Sequence, residues 1–331
     1  MKNFFNNKNI LVTGGTGSFG QEFVTTLCKN FNFKKLVIFS RDELKQYEMS
    51  KKFNNKRLRF LLGDVRDLER VKFALKNIDF VIHAAALKQV PKAEYNPSEY
   101  IKTNIIGAEN IIKAAIENNV KKVLSLSTDK AASPINLYGA TKLVSDKLFT
   151  SANNMVGNQN IIFSTVRYGN VLNSRGSVVP FFKELIAKKK FLPITHPKAS
   201  RFFLSLKEGV NFVLQSLKLM KGGEIFVPKI PSFYIMDLAH CLYNKNKTQI
   251  IGLRPGEKVN EVLISKDELN VYDFKSFYVV APSIILDKSI NYASYKNTKG
   301  RKLDINFEYS SNLNKNFLKE KSLSKFIKKY I

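Results

Sequence analysis

The chain has 331 residues, 44% of them hydrophobic, enough for one large α/β domain with a smaller companion. Its net charge of +27, from 54 basic and 27 acidic residues, is spread along the chain and reads as a solvated surface; no basic motif with interleaved aromatics marks a nucleic-acid footprint. Two isolated cysteines, Cys28 and Cys241, exclude a disulfide framework and suggest a reducing compartment; His83, His196 and His240 lack metal-ligand spacing; and the longest apolar runs are only strand-length, so neither a membrane span nor a targeting peptide is expected.

In chain order, apolar runs at 10–13, 36–39, 59–62, 80–83, 122–126 and 161–167 predict strands. Amphipathic stretches at 21–30, 42–53, 68–75, 98–118 and 137–152 predict the helices between them. Strand–helix alternation implies parallel pairing through right-handed crossovers, hence an α/β, Rossmann-like doubly wound sheet. After Gly169 glycines and prolines recur and the pattern loosens into shorter pieces. The expected division is a dinucleotide-binding domain at 1–170 plus about 222–246, and a smaller mixed substrate region at about 171–221 and 247–331. The stretch 288–331 is polar and lysine-rich, with one helix expected near 318–330.

The first strand runs into Thr13-Gly14-Gly15-Thr16-Gly17-Ser18-Phe19-Gly20. Gly14, Gly17 and Gly20 stand three apart between a strand and a helix, where a backbone must turn tightly and approach a pyrophosphate without a Cβ in the way. The helix beginning near Ser18 points free N–H groups and its positive dipole end at that anion. Gly14, Thr16, Gly17, Ser18, Phe19 and Gly20 are therefore the expected cofactor loop. At the end of the second strand, Ser40 and Arg41 suit a 2′-phosphate, which favours NADP over NAD. Asp42 either joins them or caps the next helix, and Lys45 completes the group. Asp64 and Val65 close the third strand, where Asp64 faces the adenine or caps a helix. Ala84, in a run of small residues, lets the cofactor pass closely, and His83 reads as a packed strand histidine.

Ser127-Thr128-Asp129-Lys130 ends the fifth strand, and Tyr138 and Lys142 follow four apart, on one helix face. A phenol near pKa ~10 is a poor base at neutral pH. A lysine ammonium one turn away, with a nicotinamide cation, favours the phenolate. Tyr138 can then take a hydroxyl proton while hydride leaves the same carbon, and Lys142 holds the nicotinamide ribose.

With these motifs in place, the chain resembles the extended short-chain dehydrogenase/reductase family. The run Ser127 to Lys142 is similar to that of its configuration-inverting UDP-N-acetylglucosamine 4,6-dehydratase branch, which serves surface-glycan pathways of the pseudaminic acid type. Ser40-Arg41-Asp42-Glu43, Tyr168-Gly169-Asn170-Val171, Ser174-Arg175-Gly176-Ser177, Gly222 to Lys229 and Arg254-Pro255-Gly256-Glu257-Lys258 carry the likeness over nearly the whole chain. The resemblance implies oxidation at C4, loss of water across C5 and C6, and reduction at C6. Tyr138 would deprotonate the C4 hydroxyl, Thr128 would hydrogen-bond the C4 oxygen, and Asp129 would be the acid at O6. Retaining relatives carry a Glu as C5 base where this chain has Lys130. An amine works there only when neutral, so its pKa is expected to fall through burial or the Lys142 charge. Lys88, Asn170, Val171, Ser174, Arg175, Arg201, Arg254 and Glu257, with Thr128, are the expected contacts to a UDP-sugar. Gln89, Asn173, the stretch 196–201 and Asn260 depart from the family pattern.

The rivals are a retaining 4,6-dehydratase, a UDP-sugar 4-epimerase and, more distantly, a basic binding module without catalysis. An epimerase needs no acid–base pair for elimination, so Asp129-Lys130 argues against it. The expected protein is a cytoplasmic homo-oligomer, a hexamer among the options, with no metal and no nucleic-acid or membrane partner.

Overall fold

The structure, a computed structural model, describes residues 2–330 except 173, 175, 244–246, 286 and 288, and of Lys2 the backbone alone. The first half alternates as the hydrophobic pattern predicts: β1 Asn9–Thr13, α1 Ser18–Asn30, β2 Lys35–Ser40, α2 Glu43–Lys52, β3 Leu58–Leu62, α3 Leu68–Ala74 and β4 Phe80–His83. Then come α4 Val90–Tyr95, α5 Pro97–Tyr100, a π-helical stretch Ile101–Ile106 running into α6 Gly107–Glu117, β5 Lys122–Thr128, α7 Leu137–Ser151 and β6 Ile162–Tyr168. The single helix expected over 98–118 is thus interrupted by a π-turn. β5 runs two residues past its expected end because Ser127 and Thr128 pair with Arg167 and Tyr168 of β6.

Shorter pieces follow: β7 Asn170–Val171, α8 Val178–Ala187, β8 Leu192–Ile194, β9 Ser200–Leu204, α9 Leu206–Leu219, β10 Ile225–Pro228, β11 Ser232–Tyr234 and α10 Ile235–Leu242. The last are β12 Thr248–Ile250, β13 Val262–Ile264, β14 Val271–Asp273, β15 Phe277–Val280, β16 Ser294–Tyr295, β17 Thr298–Lys299, β18 Arg301–Lys302, β19 Tyr309–Ser310 and α11 Glu320–Tyr330.

One ten-stranded sheet in the order β18-β14-β15-β10-β6-β5-β4-β1-β2-β3 organises the molecule. Strands β1 to β6 and β10 run parallel, and β15, β14 and β18 complete one edge in antiparallel pairing. The central strands β1, β2 and β4 are mostly apolar on both faces because helices cover both. In β1, Ile10 and Val12 face Phe23 and Leu27 of α1 and Val213 of α9, while Leu11 faces Val71 of α3 and Ile111 of α6. The chain order reverses between β1 and β4, so the two halves open a crevice at the strands' C-terminal ends.

The sheet crosses the expected division. α9, β14, β15 and β18 were assigned by the sequence to the substrate region but pack on or extend the main sheet, whereas β11 and α10 pair and pack outside it. Strands of two to four residues carry no period that tells which sheet they join; distant hydrogen bonds decide it. The second lobe rests on a β11-β9-β7 sheet, with Phe203 and Phe233 stacked 4.4 Å apart and Leu323 and Ile327 of α11 against them. Among the described residues no helix is long and apolar enough to cross a membrane.

Candidate active site

The crevice begins at the β1 loop. Gly14 adopts φ 63°, and a Cβ there would lie 3.0 Å from the Ala84 carbonyl and the Ala85 Cα. A Cβ on Gly20 would lie 2.3 Å from the Gly15 carbonyl, so α1 closes onto the loop only with glycine there. Gly17 caps α1 without a side-chain hydrogen bond, and the start of α1 aims its positive dipole end at the cradle. The Thr13 hydroxyl accepts from the amides of Ala84 and Ala85, 3.1 Å each, and lies 2.9 Å from His83 Nδ1, tying the ends of β1 and β4 together. This cradle, with buried Thr16 and Val65 and with Ser18, Phe19 and Ala84 beside it, fits a dinucleotide.

At the β2 end, Ser40 is buried and its hydroxyl accepts from Gln46 Nε2 at 3.0 Å. Arg41 is exposed, 3.6 Å from Asp64. Asp42 caps α2 by accepting from the Lys45 amide and also pairs with the Lys45 amine. Asp64 is no helix cap; Asp67 caps α3. Burial works against the Asp64 charge, but hydrogen bonds from Arg66 and the charges of Arg66 and Arg41 hold its pKa below the ordinary value.

The candidate reactive groups stand at the end of β5, on the turn that follows it and on α7. Thr128 leads into a one-turn 3₁₀ segment, Asp129–Ala131, and its hydroxyl donates to Asp129 Oδ1 at 2.8 Å. Asn136 caps α7 by accepting from the Gly139 amide at 2.7 Å. Tyr138, Lys142 and Asp146 then line one face of α7, all buried. Gly139 lets that helix touch the turn, since a Cβ there would lie 2.3 Å from the Lys130 carbonyl.

Burial pushes the Tyr138 phenol up to about 12, and the Lys130 charge and a Thr128 hydrogen bond pull it back. Lys142 is pushed down by burial, with Asp146 opposing. His83 is indeed packed: burial and the Lys142 charge hold it neutral, at about 3.

Lys130 departs from its expectation. Its Nζ lies 3.0 Å from Asp129 Oδ1 and 3.1 Å from Glu261 Oε1. Burial alone would lower its pKa, but the two carboxylates outweigh burial and raise it, so the amine is an ammonium here. Burial and the Glu261 charge push Asp129 up against the pull of Lys130. Glu261 is also buried, but Lys130, Arg201 and Lys258 hold its pKa down. The site therefore sets a cation at Lys130 between Glu261, whose charge its neighbours favour, and Asp129, whose pKa burial and the Glu261 charge raise.

Two residues escaped the sequence reading. Glu261 enters the buried strand edge Glu261-Val262-Leu263-Ile264, and a charge opening an apolar run was its only signal. Asn104 lies in the π-turn; it donates to the Leu87 carbonyl (2.9 Å) and the Thr141 hydroxyl (3.0 Å) and accepts from the Leu87 amide (2.9 Å), fixing the backbone before Lys88.

The expected substrate contacts divide. Asn170 and Val171 form β7, and Asn170 Oδ1 is buried without a protein partner among the described residues. Ser174 is buried nearby in sequence, and Arg175 lies outside the described residues. Lys88 is pushed down by burial and the Lys130 charge. Arg201 is buried and engaged: it donates to the carbonyls of Ser200 and Val259 and to Glu257 at 2.9 Å. Glu257 also accepts from Thr195 and from exposed Arg254. The loop bearing Glu257 docks at the start of α7, with Asn136 donating to the Gly256 carbonyl and Lys258 to the Ala132 carbonyl, 2.8 Å each. Away from the crevice, Asp237, His240 and Glu320 bring ligand atoms within 4.8 Å of one another, but Lys321, Lys325 and Lys328 line the same hollow and repel a cation.

A parallel sheet of this order, a glycine cradle after β1 and a buried Tyr-x-x-x-Lys pair beneath the crevice define an extended short-chain dehydrogenase/reductase. Within that class the chain belongs to the polysaccharide biosynthesis protein family, whose profile matches residues 10–282. It is 55% identical to the UDP-N-acetylglucosamine 4,6-dehydratase (inverting) of Campylobacter jejuni strain 81-176, over 96% of this chain and 97% of that one. It is 42% identical to a UDP-glucose 4-epimerase of Rickettsia bellii, over 93% and 92%. The solved structure of Pen from Bacillus thuringiensis superposes with a TM-score of 0.87 at 36% identity, over 98% of this chain and 99% of that one.

Proposed function

We propose that this protein is an NADP-dependent, C5-inverting UDP-N-acetylglucosamine 4,6-dehydratase. The observation that carries the reading is the Asp129–Lys130 pair, 3.0 Å apart, on the turn that packs against Tyr138. Epimerisation at C4 uses a hydroxyl acid–base alone, whereas loss of water across C5 and C6 needs a second acid and base. The 55% identity to an inverting dehydratase supports the same choice.

The cradle of Gly14, Gly17 and Gly20 and the start of α1 would hold the cofactor diphosphate. Exposed Arg41 favours a 2′-phosphate, and Lys142 would hold the nicotinamide ribose. A dinucleotide held by these residues would supply the hydride acceptor and donor for the chemistry at C4 and C6. Tyr138 takes the C4 hydroxyl proton while Thr128 hydrogen-bonds that oxygen. The C4 ketone acidifies the C5 hydrogen, Lys130 removes it, and Asp129 protonates O6 so that water leaves. C5 then regains a proton on the opposite face. The product is a UDP-linked 4-keto-6-deoxy sugar of the L-arabino series, suited to surface-glycan assembly such as the pseudaminic acid route. We place the enzyme in the cytoplasm as a homo-oligomer.

Incubation with UDP-N-acetylglucosamine and NADP⁺ in D₂O, followed by NMR, tests the reading. The expected product carries deuterium at C5 and the L-arabino configuration. A D-xylo product would make the enzyme retaining, and a C4 epimer without C5 deuterium would make it an epimerase.

A further inference from the structure

Lys130 is gripped from both lobes. Asp129 comes from the catalytic turn, and Glu261 comes from the strand edge that precedes β13. Both carboxyls are almost fully buried, and each keeps one oxygen, Asp129 Oδ2 and Glu261 Oε2, without a partner among the described residues. Their surroundings differ. Arg201 Nε lies 3.6 Å from Glu261 Oε1, and Lys258 adds a second cation on that side, itself influenced by Glu308. Among the described residues, the hydrogen bonds to Asp129 come from the Thr128 hydroxyl and Lys130. Tyr138 and Lys88 are the other titratable groups that feel Lys130. Negative charge is therefore better held on Glu261 than on Asp129, whose pKa burial and the Glu261 charge raise.

Resting on the dehydratase reading, we propose that Glu261 is a positioning residue for elimination: it holds Lys130 against Asp129, keeps Asp129 loaded as the proton donor, and receives the proton that Lys130 sheds to become a base. This resolves the conflict between a lysine base and the ammonium found here. The step balances. Lys130 passes one proton to Glu261, and its lone pair takes the C5 proton. The C5–H electron pair becomes the new C5–C6 π bond as the C6–O6 bond breaks, and Asp129 gives its proton to O6, which leaves as water. The site starts with neutral Asp129, cationic Lys130 and anionic Glu261, and ends with anionic Asp129, cationic Lys130 and neutral Glu261.

The test compares the full-length protein with Glu261→Gln and Glu261→Asp on UDP-N-acetylglucosamine and NADP⁺. Wild-type turnover to the 4-keto-6-deoxy product checks the underlying reading on its own. Given that turnover, Glu261→Gln should still bind NADP⁺ and reduce it in a single turnover. Deuterium uptake at C5 should fall about 100-fold or more. Without the Glu261 charge Asp129 ionises more readily, so the high-pH limb of the rate profile should move at least about one pH unit toward acid. Glu261→Asp, which keeps the charge, should move that limb back. A merely structural role would lower activity without moving it. Unchanged C5 exchange and pH profile in Glu261→Gln would overturn the proposal. Infrared spectroscopy of the wild type covers the case in which that variant does not fold: a protonated-carboxyl band at neutral pH, lost in Asp129→Asn, is expected, and its absence would also overturn it.

Discussion

A titratable side chain takes its character from what surrounds it, and Lys130 and His83 show both signs of that rule. Lys130 is largely buried, yet the Asp129 and Glu261 carboxylates hold its charge; His83 feels only the Lys142 cation among the described residues, and burial strips its charge away. For His83 the folded-state pKa is depressed from 6.5 to about 3, so its contribution to stability is present above 6.5 and is lost as pH falls through that window. The expected steepening is at most about 1.4 kcal/mol per pH unit. Urea unfolding between these limits should show a shallower decline for His83→Gln than for wild type; parallel declines would disprove the buried neutral imidazole. Tyr138 and Lys142 are candidates from the sequence through residue type and helical spacing, and Thr128 and Asp129 through the family resemblance. Glu261 is not, because its partner Lys130 lies 131 positions earlier in the chain.

Elements of the first half were legible because their signals are local. Buried strands read as continuous apolar runs, and Asp42, Asp67 and Asn136 stand at helix starts as side-chain caps. The π-turn at 101–106 was hidden: its apolar pattern reads as plain helix, and the contacts that accompany it, Asn104 to Leu87 and Thr141, run across elements. The contact between α7 and the 3₁₀ turn gives a prediction at this scale. Gly139→Ala would set a Cβ 2.3 Å from the Lys130 carbonyl, against backbone that cannot swing aside. The cost should be about 1–3 kcal/mol by denaturant unfolding, with a marked loss of turnover as Asp129 and Lys130 shift from Tyr138. Gly209→Ala in α9 meets only a Leu204 methyl at 3.4 Å and serves as the control, neutral to slightly stabilising. Equal behaviour of the two variants would refute the close-contact argument.

Across the whole molecule, Arg167 joins three distant segments. From β6 its guanidinium reaches Asp146 on α7 (3.2 Å) and Glu268 after β13 (2.9 Å), and donates to the Leu263 carbonyl (3.0 Å). The Ser127 hydroxyl donates to the same Asp146 at 2.8 Å, so this buried network braces the strand and the helix that carry the reactive groups. Arg167→Met would leave Asp146 without its cation in the interior. The expected loss is about 3–5 kcal/mol in urea unfolding, little changed by added salt because the pair is buried. A loss under about 1 kcal/mol would show the network to be dispensable. Sequence alone determined the parallel α/β architecture, the glycine turn after β1 and the shared face of Tyr138 and Lys142 on α7, because periodicity, glycine spacing and helical geometry act within a few residues. Tertiary structure alone decided which short strands extend the main sheet, where Arg201 and Glu257 spend their charges, and that Lys130 stands between two carboxylates. Those outcomes depend on groups brought together from far apart in the chain, and burial then sets their charge.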